Sequence, residues 1–312
     1  GDLVVGDFLD TVNLWPRKGG PLQPLFRMDL CMLQPRAVTW NGVPSILVGE
    51  EDGTVSLALN MRDPKPLEQI DPFLKSGALS RPVAVDWNGD GRLDIVAGNS
   101  AGYLQHFENT GTKARAEFTD RGYLKAGGKT IRRMAGENGS VQGPAEAKWG
   151  YANPSVADWD LDGQLDILVN DIWGSVHWYR RDARGDLEPA RNIDVEWEAE
   201  TPKPDWVWWK PAGKQLVTQW RTTPNVVDWD RDGLPDLVMM DWRGYLALYR
   251  RSRQNGKLVL GQPERIFVEP GGRFLMLSAG RAGRSGRRKV DMADWDNDGD
   301  LDLITDSPDG AG

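Results

Sequence analysis

The sequence predicts an all-β protein assembled from repeated four-stranded sheets, and three observations predict it. One motif recurs four times without gaps. Each copy sets short runs of β-formers on either side of a loop rich in Asp and Gly. The first aspartates of the copies, Asp86, Asp158, Asp228 and Asp294, follow one another at intervals of 72, 70 and 66 residues, the signature of a structural repeat. The copies read VAVDWNGDGRLDIVAGN (83–99), SVADWDLDGQLDILVND (155–171), NVVDWDRDGLPDLVMMD (225–241) and DMADWDNDGDLDLITDS (291–307).

The elements of one repeat follow in order. Val156, or Val226 and Val227, ends a first strand that leads into the loop. Residues 165–169 leave it as a second strand, too short for a helix and rich in β-formers. A Gly turn comes next, at Trp173-Gly174 or Arg243-Gly244, and then a third strand at 176–179 or 245–249. The remaining residues supply a fourth strand and a connection of variable length. Four strands per repeat with Gly and aromatic punctuation is the pattern of a propeller blade, and blades bury their faces only against neighbouring blades. Weaker copies lie upstream at 1–7 and at 37–40 with 45–49, where the apolar parts persist without the acidic loop. The expectation is a single propeller domain over 1–312, a fragment cut at both ends, with about six repeat starts.

Composition removes several function classes. Hydrophobic residues make up 39% of the 312, enough for a packed core. No apolar run is long enough to span a membrane. Cys31 is the sole cysteine, so an intrachain disulfide and a cysteine-rich zinc module are both excluded. His106 and His177 alone offer little to a histidine metal centre. The formal charge of −8 does not suit nucleic acid, which demands clustered positive charge. No nucleophile elbow, phosphate loop or dinucleotide fingerprint is present.

Much of the acid sits in the loops, with the pattern D-x-[DN]-x-D-G-x-x-D. Candidate metal ligands are Asp86, Asn88, Asp90 and Asp94; Asp158, Asp160, Asp162 and Asp166; Asp228, Asp230, Asp232 and Asp236; and Asp294, Asp296, Asp298 and Asp302. Carboxylates on alternate residues can wrap a hard cation such as Ca2+, which takes roughly 6–8 oxygens. An EF-hand shares the first half of the pattern but needs Glu at position 12, where this chain has Ala97, Val169, Met239 and Thr305. Four divalent ions would offset the formal charge of −8. Without metal, each loop crowds like charges.

These residues resemble the FG-GAP/VCBS repeat family, the propeller type also found in integrin α-chains. The resemblance implies Ca2+ in the loops and a seven-bladed ring. The long Trp-rich connections are similar to those of bacterial carbohydrate-associated members. An extracytoplasmic protein is expected, because millimolar calcium outside cells can occupy moderate-affinity sites, with the export signal outside this sequence.

Topology places a second site. If the Asp loop joins strands one and two, the segments leading into strand one and the turns between strands two and three lie at the opposite end. Tyr151, Arg221 and Arg287 occupy the same position there, seven residues before each loop, and Trp220, Trp173 and Trp242 accompany them. Arginine forks bind carboxylates, and Trp faces can carry sugar rings. The expected ligand is an acidic polysaccharide, engaged by a monomer. In a lyase, Arg221 and Arg287 would neutralise a uronate while Tyr151 or His177 served as base. The alternative is a non-catalytic adhesion, protein-binding or scaffold propeller.

Overall fold

The structure of the chain is a computed structural model, which describes residues 3–6, 11–15, 23–28, 33–49, 53–67, 74–112, 115–204, 210–269, 271–278, 288–296 and 298–305. The regular elements among these residues are all strands, apart from one short 3-10 turn, Pro144–Glu146. The fold is an all-β propeller with four complete blades among the described residues. Packing divides the chain into two compact units, residues 1–124 with 288–312 and residues 125–287.

The first unit holds two blades. Blade I runs Gln34–Trp40, Val43–Gly49, Val55–Leu59 and Lys65–Pro66; blade II runs Arg81–Val85, Asp94–Gly98, Leu104–Asn109 and Phe118–Tyr123. Each is antiparallel, with strands in sequence order. Alternate side chains of the two blades, among them Trp40, Leu47, Leu57, Ile95, Phe107 and Phe118, pack into one core. The same unit holds a three-stranded sheet, Leu3–Gly6, Thr11–Trp15 and Gln23–Arg27, and the pair Val290–Ala293 with Asp302–Thr305. Val12, Trp295 and Ile304 join Ile46 and Val48 of blade I in a second core.

The second unit holds blade III, Asn153–Ala157, Asp166–Asn170, Val176–Tyr179 and Arg191–Asn192, and blade IV, Asn225–Val227, Asp236–Met240, Leu246–Gln254 and Lys257–Glu264. The second strands, such as Asp166–Asn170, are buried along their whole length. After the opening Asp, three or four residues in a row are therefore apolar rather than alternating with polar ones. Leu168, Leu237, Met239 and Tyr249 meet Trp159 in the shared core, where truncating one large apolar side chain typically costs about 2–5 kcal/mol. One feature of the connection was not expected from the repeat: Val195–Glu196 adds a parallel fifth strand beside Lys257–Glu264. It covers an edge that would otherwise present open hydrogen-bonding groups.

Candidate functional site

The acidic loops share one hydrogen-bonded frame. The first carboxylate accepts the N–H of the loop glycine in all four: Gly91 to Asp86 (2.9 Å), Gly163 to Asp158 (2.9 Å), Gly233 to Asp228 (3.0 Å) and Gly299 to Asp294 (3.1 Å). The fifth-position carboxylate accepts the N–H two residues on, as Asp162 does from Gln164 at 2.9 Å. Those glycines hold φ between 82° and 91°, a left-handed conformation that costs a Gly little. The last aspartate of the loop is buried and holds the backbone at or just beyond the third strand. Asp94 accepts from Asn109 N–H (2.7 Å), Asp166 from Arg181 N–H (2.7 Å) and Asp236 from Arg251 N–H (2.6 Å).

This frame turns carboxylate oxygens toward one another. Asp158, Asp160 and Asp162 bring one oxygen each within 4.8 Å, as do Asp228, Asp230 and Asp236, and Asp294, Asp296 and Asp302. In the blade II loop Asn88 replaces one acid; its Nδ2 donates to Asp90 Oδ2 at 3.1 Å and its Oδ1 accepts from Asp90 N–H at 3.0 Å. Burial, with Asp160 and Asp162 close by, pushes the Asp166 carboxyl up to about 6. Burial raises Asp236 likewise. Oδ1 of Asp160 is buried without a hydrogen-bond partner. A buried acceptor without a partner beside clustered carboxylates is costly, and a hard cation held by Asp158, Asp160, Asp162 and Asp166 would satisfy it.

Arginines already lean on the outer side of these loops. Arg180 donates to Asp160 Oδ2 at 2.6 Å, and also to Asp162 and to Glu188. One repeat later Arg250 donates to Asp230 (2.6 Å) and Glu264 (3.2 Å). Arg251, one residue on, is buried over the Trp159 ring, 3.8 Å from its centroid. Burial lowers that guanidinium to about 10.

The opposite end of the blades carries the turns between strands two and three. Asp171 opens one turn, and its Oδ1 accepts from Trp173 N–H (2.9 Å); Asp241 opens the next, and its Oδ1 accepts from Arg243 N–H (2.7 Å). Each remaining Oδ2 takes an arginine fork, from Arg133 at 3.1 and 3.0 Å and from Arg265 at 2.8 and 2.6 Å. Burial works against the Asp171 charge. Its contacts with His177 and Arg133 nonetheless hold the carboxyl below its ordinary value. A cavity of about 620 Å3 opens beside this turn, lined by Arg133, Ala135, Gly136, Glu137, Asn138, Asp171, Trp173 and Ser175.

Tyr151 and Arg221 do occupy equivalent places, and both take left-handed backbone, at φ 49° and 60°, as Leu79 does at 54° in the preceding repeat. They stack rather than open: the Arg221 guanidinium lies 3.1 Å from the Tyr151 ring centroid and 4.5 Å from that of Trp220. Arg221 is 4% exposed and Trp220 wholly buried. Arg221 donates to Glu146 at 3.0 Å, so an internal carboxylate stands where a ligand's was expected. Tyr151 OH and Ser140 Oγ also reach Glu146. His177 belongs to the neighbouring cluster, with Nε2 2.7 Å from Arg133 and 3.3 Å from Asp171. Trp173 and Trp242 are half-buried, and Trp242 meets Trp197 edge-on at 5.5 Å. Arg287, Trp206, Trp208 and Trp209 lie outside the described residues. Sequence reasoning missed Arg133 and Glu146, which come from a connection without repeat counterparts; their only signal was proximity in the chain to Tyr151.

Solved structures resembling the chain include a triple arginine-to-alanine mutant of AofleA from Arthrobotrys oligospora, with a TM-score of 0.46 at 9% identity over 97% of this chain and 78% of that one. Bap1, a biofilm matrix protein of V. cholerae, gives a TM-score of 0.33 at 14% identity over 98% of this chain. The chain spans 38% of that Bap1 chain. Both likenesses are distant. No protein of curated function matches. A family profile described as FG-GAP-like repeat matches residues 86–169 and 228–305, more than half of the chain, and begins at the first aspartate of a loop in both places. The chain belongs to the FG-GAP-like repeat family.

Proposed function

We propose that this chain is a calcium-braced binding propeller that works outside the cytoplasm and engages a glycan. The carrying observation is the shared frame of the acidic loops, with three carboxylate triads and the partnerless Asp160 Oδ1. Such loops suit the millimolar calcium found outside cells, where moderate affinity suffices. No helix among the described residues is long and apolar enough to cross a membrane. Calcium would be held by the sets at 86–94, 158–166, 228–236 and 294–302, and would clamp the first two strands of blades II, III and IV and the pair Val290–Ala293 with Asp302–Thr305. Glycan binding is supported by the other end of the blades, where half-buried tryptophans stand among fixed polar groups.

Binding is favoured over a lyase reaction for a geometric reason. A lyase needs a cation for the uronate and a free base. Tyr151 and Arg221 are packed on one another and on Glu146, and His177 is in contact with Arg133 and Asp171. A glycan array probed with calcium-loaded protein tests the reading. Saccharide-dependent retention that needs the folded chain is expected. Absence of retention on neutral and uronate-rich glycans alike would replace it with a protein-binding or scaffold role.

A further inference from the structure

The cavity beside the Asp171–Trp173 turn has no role in bracing the blades, and its walls are unusually well fixed. We infer that it is the saccharide site of the chain, and that it takes the hydroxyls of a neutral sugar rather than a uronate. The inference rests on the glycan-binding reading and specifies the ligand that reading leaves open.

The polar floor is built before any ligand arrives. Asp171 is 1% exposed and uses both oxygens, Oδ1 on the Trp173 and Ser175 N–H groups and Oδ2 on the Arg133 fork. Trp173 is pinned at its other end, donating from Nε1 to Ala135 O at 3.1 Å. Its indole is thus fixed at both ends while remaining half-buried, a preset apolar face of the kind sugar rings stack on.

The facing wall is the loop from Ala135 to Ala147, and its position follows from the residues the repeat alignment singled out. Ala135 N–H donates to Trp149 O at 2.8 Å and Gly136 N–H to Ala147 O at 3.0 Å. Inside the loop, Glu146 gathers Ser140, Tyr151 and Arg221. Arg221 N–H also donates to Asp171 O at 2.9 Å, joining that cluster to the turn. Arg221 and Tyr151 are positioning residues one layer beneath the cavity. Gly136 (φ 92°) has open space where a Cβ would stand, so backbone, Glu137 and Asn138 form an exposed rim.

Charge selects the ligand. The Arg133 fork is already satisfied by a buried carboxylate in the same chain, which a ligand carboxylate would have to displace. Arg133 and Asp171 cancel, and Glu137 leaves the lining with an acid excess. A uronate would meet repulsion and find no spare fork. Sugar hydroxyls, which both donate and accept, match the Asn138 amide and the Glu137 carboxylate on the rim. At about 620 Å3 the cavity falls within the ordinary range for small-molecule sites.

Saturation-transfer NMR on calcium-loaded protein tests this, with methyl β-glucoside, methyl β-galactoside, methyl α-mannoside and methyl β-glucuronide as probes. At least one neutral glycoside should receive saturation, and the glucuronide should bind roughly tenfold or more weakly than the glucoside. Trp173→Ala should weaken the neutral ligand at least roughly tenfold, and Asn138→Ala by a smaller factor, with both variants melting like the parent. If Trp173→Ala fails to fold, Trp173→Phe keeps the stacking face and should retain binding, while Asn138→Ala still reports on the rim. Neutral binding that ignores all these variants would overturn the site while leaving glycan binding intact. Equal binding of the glucuronide would overturn the neutral specificity. No saturation of any probe would sink both the inference and the reading beneath it.

Discussion

Replacing Asp166 by Asn should change how stability depends on pH, in opposite ways with and without calcium. Asp166 is fully buried and titrates at about 6 in the folded chain, against an ordinary 3.8 when unfolded. Its burial is the chief cause. Between those values the folded state holds the proton more tightly than the unfolded state, so metal-free stability falls as pH rises through the window. The gap corresponds to about 3 kcal/mol, absent below pH 3.8 and complete above about 6. Asn cannot ionise. It also loses one of the two bonds that Arg181 N–H and Trp178 Nε1–H make to the carboxylate, an offset of ~1 kcal/mol that is the same at every pH. Urea unfolding of metal-stripped protein from pH 4 to 7 measures the difference. Metal-free wild type should lose about 3 kcal/mol more than Asp166→Asn over that range. With calcium the order reverses, because the cation favours the ionised carboxylate, and the variant becomes the less stable chain at pH 7. Parallel pH profiles of the two metal-free proteins would refute the reasoning, since a carboxylate with no folding-linked titration carries no charge penalty for calcium to relieve.

Two further perturbations separate bracing from binding. Asp160→Asn should shrink the rise in melting temperature that calcium produces, while leaving neutral-sugar contacts at the opposite end of blade III unchanged; differential scanning fluorimetry with and without calcium reads the first and NMR the second. Arg221→Met should cost about 3–5 kcal/mol in denaturant unfolding, because it strands the buried Glu146 carboxylate, and adding Glu146→Gln should recover part of that loss.

The repeat, the strand order within a blade and the four acidic loops were all readable from the sequence, for one physical reason. Second strands such as Asp166–Asn170 are buried on both faces, so their central residues, Ile167 to Val169, must be apolar, while the loop beside them needs acids and Gly at fixed places. Both demands act on neighbouring residues, so they leave a local pattern. The cavity beside Asp171 leaves none. It depends on Arg133 reaching 38 residues along the chain to Asp171, and on Glu146 reaching 75 residues to Arg221. Tyr151 and Arg221 were found because they recur at one position, yet recurrence there reflects a shared left-handed backbone, which a buried stack requires as much as a ligand would. The spacing of the motif also gave no sign of the parallel strand at Val195–Glu196, whose partner lies more than sixty residues downstream.

The most direct measurement of calcium bracing is isothermal titration of the folded, metal-stripped chain with calcium, followed by thermal melting of the same samples. Uptake by the loops beginning at Asp86, Asp158, Asp228 and Asp294 is expected, with a melting temperature that climbs as free calcium rises above its dissociation constants. Folded protein that takes up no calcium, and melts at one temperature with or without it, would contradict the central claim.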